Sequence, residues 1–160
     1  MLLPGRINMS AAATSFQRSL VVAGAILFLL GLLQGAAVQS FANPRMALSA
    51  HLTAVQSGLA LMIVGVIWPA VSLNALLLKI ARWTIIIGMY GLWLGLTLSA
   101  ASGASDALPI AGAGYSANRL SEVAVSATVL VSSGLMTLGW LLFVVGLIRR
   151  HVGGGKPERL

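Results

Sequence analysis

The chain has 160 residues, of which 58% are hydrophobic and 8% are charged, whereas an average soluble domain has about 25% charged residues. This composition excludes a soluble catalytic domain, and the absence of cysteine excludes disulfides, thiolate ligands and iron–sulfur clusters. Four stretches without Lys, Arg, Asp or Glu each exceed the roughly 20 residues that cross a bilayer as a helix; they are 19–44, 46–78, 83–105 and 123–148. Because backbone groups in lipid must pair within the protein, we predict an all-α membrane protein with a four-helix transmembrane bundle.

The formal net charge of +7 comes from basic residues at the ends of these stretches, so we do not predict nucleic-acid binding. In a four-span topology, eight Lys and Arg residues lie on one side, and only Arg45 and Arg119 lie on the other. The positive-inside rule then places both termini in the cytoplasm and the protein in the inner membrane. We predict a cytoplasmic N-terminal segment 1–18, a transmembrane domain 19–148 and a basic cytoplasmic tail 149–160.

The first predicted helix covers about 19–41. It carries Gly31 and Gly35, and glycines four residues apart allow close helix packing in lipid. The second helix begins where Asn43 can cap it and Pro44 needs no N–H partner.

His51 is the only titratable group in the 33 uncharged residues between Arg45 and Lys79, and it lies about 9 Å deeper than Arg45. A polar side chain in hydrocarbon is costly, so His51 is a candidate functional residue. It could be a neutral imidazole bonded between helices or a cofactor ligand. The nearby helix N-terminus favours the neutral form, which is also the ligand form.

The helical neighbours of His51, including Ala54 and Gly58, form a small apolar face that a flat cofactor could approach. A bare metal ion is less favoured, because no second histidine and no carboxylate stands at ligand spacing.

The third predicted helix, about 75–101, carries a glycine strip with Tyr90 nearby, and the fourth covers about 121–148. Polar residues concentrate in the outer half of all four helices, which predicts a polar cavity around His51. The alternative is that the hydroxyl groups bond to the helix backbone. Glu122 in the first turn of the fourth helix is either stabilised by the helix dipole or part of the site. Arg45 is either a boundary anchor or a partner for an anionic cofactor substituent.

The segment from Phe41 to Leu52, with Asn-Pro-Arg-Met at 43–46, His51 and then Gly58, resembles the hydroxylaminobenzene mutases, and Glu122 also matches them. The resemblance covers 19–148 and fits the longer form of that family. A more distant similarity is to styrene oxide isomerase, in which a histidine of the second helix binds haem b between the subunits of a trimer. Ser57 stands where that isomerase has an asparagine, and its third-helix Asp and Tyr have no convincing match.

The resemblance implies a membrane isomerase that converts hydroxylaminobenzene to 2-aminophenol, with ferric haem b as Lewis acid and no reductant. It implies iron ligation by His51. We expect the other site residues to be Asn43, Arg45 and Gly58 for cofactor binding and Tyr90, Ser57 and Glu122 for catalysis.

A homotrimer in the membrane lipid is expected, because four helices alone could hardly enclose a macrocycle. The glycine pairs Gly31/Gly35 and Gly91/Gly95 are candidate contacts between subunits. The alternatives are an epoxide-to-aldehyde isomerase, a small exporter and a membrane cytochrome. The exporter would need an acid in the first helix, which is absent, and the cytochrome would need a second axial ligand, for which only His151 in the tail is left.

Overall fold

The computed structural model describes residues 4–153, with side chains described from 15 to 149. This part of the chain is helical and contains no strand. Four helices are each long and apolar enough to cross a membrane, which confirms the predicted all-α, multi-pass fold. They are α1 (Pro4–Ala36), α2 (Pro44–Ile67), α3 (Ala75–Ser102) and α4 (Arg119–Gly153).

The bounds of α1 and α4 differ from those expected. The first helix begins at Pro4 and includes most of the predicted N-terminal segment, because Pro4 suits the first helical turn and the alanines that follow favour helix. It ends at Ala36, before a 3-10 turn at Val38–Ser40. The last helix runs into the predicted tail as far as Gly153, and 154–160 lie outside the described residues.

The ends of the inner helices follow their sequence signals. The Asn43 side chain accepts a hydrogen bond from the Met46 N–H at 3.1 Å, with Pro44 in the first turn of α2. Asn74 caps α3 in the same way. At the far end of α3, Gly103 adopts a left-handed backbone with φ of 80°, which glycine allows without strain.

The helices form two antiparallel hairpins, α1–α2 and α3–α4, which join along α2 and α3. Among the described helices and 3-10 turns, α4 comes close to α3 and to the 3-10 turn Trp68–Ala70, and its Gly146 carbonyl accepts the Ser72 N–H at 2.9 Å just after that turn. At that end, the rings of Trp68 and Phe143 stack with centroids 6.2 Å apart. Much of α4 therefore faces outward from a single chain.

Glycines bring the backbones of α1 and α2 together. A Cβ atom added at Gly58 would lie 2.6 Å from the backbone nitrogen of Phe28, and one at Gly24 would lie 2.6 Å from the carbonyl oxygen of Gly58. A Cβ at Gly31 would lie 2.8 Å from the Cβ of Ala54. Small residues at such a contact allow the close packing that stabilises helix pairs in lipid.

The hairpin α3–α4 uses glycines in the same manner. A Cβ at Gly88 would lie 2.6 Å from the Met136 backbone nitrogen, and one at Gly95 would lie 2.9 Å from a Val129 methyl. Gly91 faces the Ser132 side chain. The prediction that Gly31/Gly35 and Gly91/Gly95 pack between subunits is therefore wrong, because the neighbouring helix of the same hairpin already covers both surfaces.

Replacing Gly58 by alanine should destabilise the protein, because the added methyl would overlap the α1 backbone, which cannot rotate away. Overpacking of this kind costs about 1–3 kcal/mol. Gly134→Ala is the matched control, since a Cβ there meets no atom within 4 Å. Thermal unfolding in detergent would measure both variants, and equal stability of the two would contradict the close contact of α1 with α2.

Candidate functional site

The His51 ring lies between α2 and α1. Its Nδ1 is 2.7 Å from the carbonyl oxygen of Gly31. A Cβ atom at Gly35 would lie 2.7 Å from the same nitrogen, so only glycine at position 35 leaves room for the ring. Gly31 and Gly35 therefore create the place in which this histidine is held.

This contact determines which ring nitrogen of neutral His51 carries the proton. A carbonyl oxygen only accepts hydrogen bonds, so Nδ1 must be the donor, which leaves the lone pair on Nε2. No other described residue forms a hydrogen bond with Nε2. Metal-binding histidines characteristically donate their second ring N–H to a carbonyl or carboxylate. His51 is therefore suited to bind a metal through Nε2.

A bare metal ion would lack further ligands. Among the described residues, no group of three His, Cys, Asp or Glu side chains lies close enough to hold an ion. A single imidazole fits a metal that brings its other ligands with it, as the iron of haem does. The donor set of this chain is thus compatible with haem.

The face of α2 that was expected to receive a flat cofactor is not open. Ala54 is fully buried, and Gly58 packs against the backbone of α1. The exposed side of α2 next to His51 carries Leu48 and Leu52, which are 49% and 47% exposed. Any large group would have to reach His51 from this apolar side. A cofactor-binding role for Gly58 stays a prediction.

Part of the predicted polar layer forms a bridge between α1 and α3. The indole N–H of Trp93 donates to the Gln34 side-chain oxygen at 2.6 Å. The Gln34 amide nitrogen donates to the Thr97 hydroxyl at 3.1 Å, and that hydroxyl donates to the Trp93 carbonyl at 2.8 Å. These groups bond to one another and do not line an open cavity. Since Gln34 adjoins Gly35, the bridge fixes the part of α1 that holds His51.

Two surface hollows of about 310 Å³ each lie away from His51. One is at 107–111 in the loop between α3 and α4, and the other lies along α4 between Met136 and Val144. Neither is lined by His51, and both are almost entirely apolar. These two hollows do not provide the polar cavity that was expected around the histidine.

Tyr90 is not brought to His51 within one chain. Its hydroxyl donates to the carbonyl oxygen of Ala23 at 2.7 Å. Ala23 precedes Gly31 by eight residues, which is about 12 Å along a helix. A hydroxyl so far along α1 cannot bond directly to a group on the His51 ring. The catalytic role of Tyr90 stays a prediction.

Ser57 is 9% exposed, and its hydroxyl forms no hydrogen bond with another described residue. It lies six residues after His51, which is about 9 Å along α2. Its hydroxyl proton is therefore uncommitted, unlike that of Tyr90. A catalytic role for Ser57 also stays a prediction.

Asn43 and Arg45 fasten the loop between α3 and α4 over the start of α2. The Asn43 side chain donates to the Ala111 carbonyl at 3.2 Å, and its backbone N–H donates to the Ala100 carbonyl at 2.9 Å. The Arg45 guanidinium donates to the Ala113 carbonyl and lies 5.8 Å from the centre of the Tyr115 ring. These contacts give both residues a structural role, and their cofactor-binding roles stay predictions.

Glu122 anchors the two ends of the same loop. Its carboxylate is 8% exposed and accepts backbone N–H groups from Ser105 at 2.9 Å, Asp106 at 3.0 Å and Ala117 at 3.1 Å. Sequence reasoning missed this role. The available signal was a carboxylate just after a long connection rich in Ala, Gly and Ser. The catalytic role assigned to Glu122 stays a prediction beside this structural one.

Removing the carboxylate in Glu122→Ala should release the loop, because three backbone N–H groups at its two ends would lose their acceptor. Hydrogen bonds to an ionised acceptor are stronger than those between neutral groups, so we expect amide exchange at Ser105, Asp106 and Ala117 to become much faster. Asp106→Ala is the control, because it removes an exposed side chain and keeps the backbone N–H that donates to Glu122. Unchanged amide exchange in Glu122→Ala would contradict the anchoring role. Hydrogen exchange with mass spectrometry provides the readout.

Comparison with known proteins assigns this chain to a family. The family model described as styrene oxide isomerase matches residues 16–148, which include His51 and all of the four membrane spans except the end residues Ser15 and Arg149. Hydroxylaminobenzene mutase HabA of Ectopseudomonas oleovorans is 34% identical over 134 residues, covering 83% of this chain and 99% of that protein. Hydroxylaminobenzene mutase HabB of the same organism is 38% identical over 129 residues, covering 80% and 75%.

No solved structure matches the chain. The two curated relatives confirm the resemblance carried by the segment around Asn43 and His51. The chain belongs to the styrene oxide isomerase family, and it is a multi-pass membrane isomerase related to the hydroxylaminobenzene mutases.

Proposed function

We propose that the protein is a membrane mutase that converts hydroxylaminobenzene to 2-aminophenol. Two relatives are named for that substrate, and the observation that carries the chemistry is His51, with Nδ1 bonded to Gly31 and Nε2 left as a ligand. Product and substrate are isomers: an N–O bond breaks and a C–O bond forms at the ortho carbon. The reaction therefore needs no reductant and no nicotinamide.

His51 would hold the iron of haem b through Nε2, and ferric haem, when bound, supplies a Lewis acid that polarises the N–O bond. The Gly31 carbonyl fixes the orientation of the imidazole and raises its basicity as a ligand. Gly35 contributes by leaving space for the ring. These three residues form the part of the cofactor site that a single chain supplies.

The surroundings of His51 would keep water from the substrate. Leu48 and Leu52 make the accessible side of α2 apolar, and the loop fastened by Asn43 and Arg45 covers the outer end of α2. A dry site disfavours attack on the ring by bulk water. Among the three proposed catalytic residues, Ser57 has the only uncommitted polar group, since Tyr90 and the Glu122 carboxylate are engaged with backbone groups. Ser57 is therefore our first candidate for moving a proton.

We further propose a homotrimer. Gln56 is exposed, although it lies about 18 Å from Pro44 along α2, near the middle of a 27-residue span. Its amide forms no hydrogen bond with another described residue, and such a group is costly in hydrocarbon. A second copy could cover Gln56 and the exposed side of His51 together. The mass of the particle in detergent, corrected for the bound detergent, gives the number of subunits.

The proposed location is the inner membrane with both termini cytoplasmic, on the strength of the eight-to-two distribution of basic residues.

The second candidate function is epoxide-to-aldehyde isomerisation, which the styrene oxide isomerase family model favours. Ser57 in place of that enzyme's asparagine argues for a different substrate. Membership in an isomerase family argues against the exporter and cytochrome alternatives.

Purified protein should show a Soret band, and His51→Ala should lose it together with activity, because His51 is the only histidine whose side chain is described and the only one within the four spans. His151→Ala is the matched control. His151 follows the fourth span, within the last turn of α4, and its side chain is not among those described. The spectrum of His151→Ala should remain unchanged. Absorption spectra of both variants in detergent provide the measurement. A colourless protein with full mutase activity would overturn the cofactor and leave the reaction standing.

Hydroxylaminobenzene should yield 2-aminophenol without reductant, NAD(P)H or added metal. In oxygen-18 water, the product should carry little label, because the oxygen that leaves nitrogen returns to the ring without exchange in a dry site. Mass spectrometry of the product distinguishes this route from solvent attack. Extensive labelling would contradict transfer of the substrate's own oxygen, and styrene oxide turnover without mutase activity would favour the second function.

A further inference from the structure

The Arg82 side chain reaches from α3 to α1 at the end of the bundle where α3 begins. Its guanidinium carbon lies 4.2 Å from the centre of the Phe16 ring and 4.9 Å from that of Trp83. Its Nη1 donates to the Ser19 hydroxyl oxygen at 3.2 Å, and that hydroxyl donates its own proton to the Phe16 carbonyl at 2.8 Å. The two rings and the hydroxyl together hold the guanidinium in one orientation.

The positive charge of Arg82 has no counter-charge among the described side chains. Of the five guanidinium donors, one bonds to Ser19, and Nε is buried without a partner. The two carboxylates in the described part of the chain belong to Asp106 and Glu122, which lie at the opposite end of the helices. A half-buried cation that lacks an anion is costly, so an anion from outside the described chain should bind here.

We propose that Arg82 binds the phosphate of an anionic phospholipid headgroup. The planar guanidinium presents donors that match phosphate oxygens in pairs, and its terminal nitrogens keep donors that Ser19 does not use. The exposed cations Arg18 and Lys79 lie beside Ser19 and one turn before Arg82, so they add to the attraction.

The position favours a lipid over a free phosphate ion. Trp83 is 46% exposed and adjoins Arg82 at the end of a membrane span, where tryptophan characteristically meets the headgroup region. Phe16 and Trp83 offer apolar surface for the lipid beside the guanidinium that takes its phosphate. A free phosphate ion would use the same donors and gain nothing from these rings.

Binding of a phosphate at Arg82 would strengthen the contact between α1 and α3. The described polar side chains link α1 to α3 at three places: Arg82 with Ser19, Tyr90 with Ala23, and Gln34 with Trp93 and Thr97. A phosphate on the first of these links would stabilise the folded protein in proportion to its concentration and affinity. Anionic lipid should therefore raise the melting temperature.

The test is thermal unfolding of the full chain in detergent with added phosphatidylglycerol, phosphatidylcholine or inorganic phosphate. We expect the melting temperature to rise with phosphatidylglycerol and to change little with the other two. In Arg82→Gln, the apparent affinity for phosphatidylglycerol should fall about tenfold or more, the loss expected for charge-assisted hydrogen bonds. The apparent affinity of Arg82→Lys should lie between that of the unchanged protein and that of Arg82→Gln, because lysine keeps the charge and loses the planar donors.

Arg149→Gln is the matched control, since Arg149 is an exposed cation at the same end of the bundle. Glu158→Gln tests the remaining acidic side chain, which lies outside the described residues. Both variants should keep the full shift with phosphatidylglycerol. The shift within each variant is compared, so a lower stability of Arg82→Gln itself does not affect the result. An equal shift in Arg82→Gln, an equal effect of inorganic phosphate, or a changed shift in Glu158→Gln would overturn the proposal.

Discussion

The close contact of α1 with α2 is the constraint on which the rest of the structure depends. Lipid provides no hydrophobic force that would drive helices together, so association depends on packing and on polar contacts. Glycines at 24, 31 and 58 let the two backbones touch. That approach brings the Gly31 carbonyl within 2.7 Å of His51 Nδ1. The chemistry available to His51 is thus a consequence of helix packing.

The polar side chains within the membrane spans connect helices through hydrogen bonds, which apolar side chains cannot form. Gln34, Trp93 and Thr97 satisfy one another while they connect α1 to α3. Tyr90 makes a second connection with the α1 backbone. A buried polar group that is fully paired specifies one arrangement of its neighbours, whereas an unpaired one is costly. This principle separates the paired Gln34 from Gln56, which is exposed and forms no hydrogen bond with another described residue.

The residues that begin α2 have a structural role that is separate from any contact with substrate. Asn43 caps the start of α2 and also bonds to the loop at Ala111, while Arg45 bonds to the loop at Ala113. Glu122 holds both ends of that loop from α4. The end of the bundle at which α2 begins is therefore closed by three polar side chains. A closed end is consistent with chemistry that must be protected from water.

The sequence by itself determined the four spans and the cap at Asn43, and it singled out His51 as a candidate residue, because uncharged length, cap residues and an isolated polar group are local properties of the chain. It could not determine which glycine surfaces face the same chain, since Gly31 and Gly91 look equally suitable for contacts within or between subunits. It also could not reveal that Glu122 binds three backbone N–H groups, or that Gln34 pairs with Trp93. Those contacts join residues distant along the chain, and only the relative rotation of the packed helices decides which of them meet.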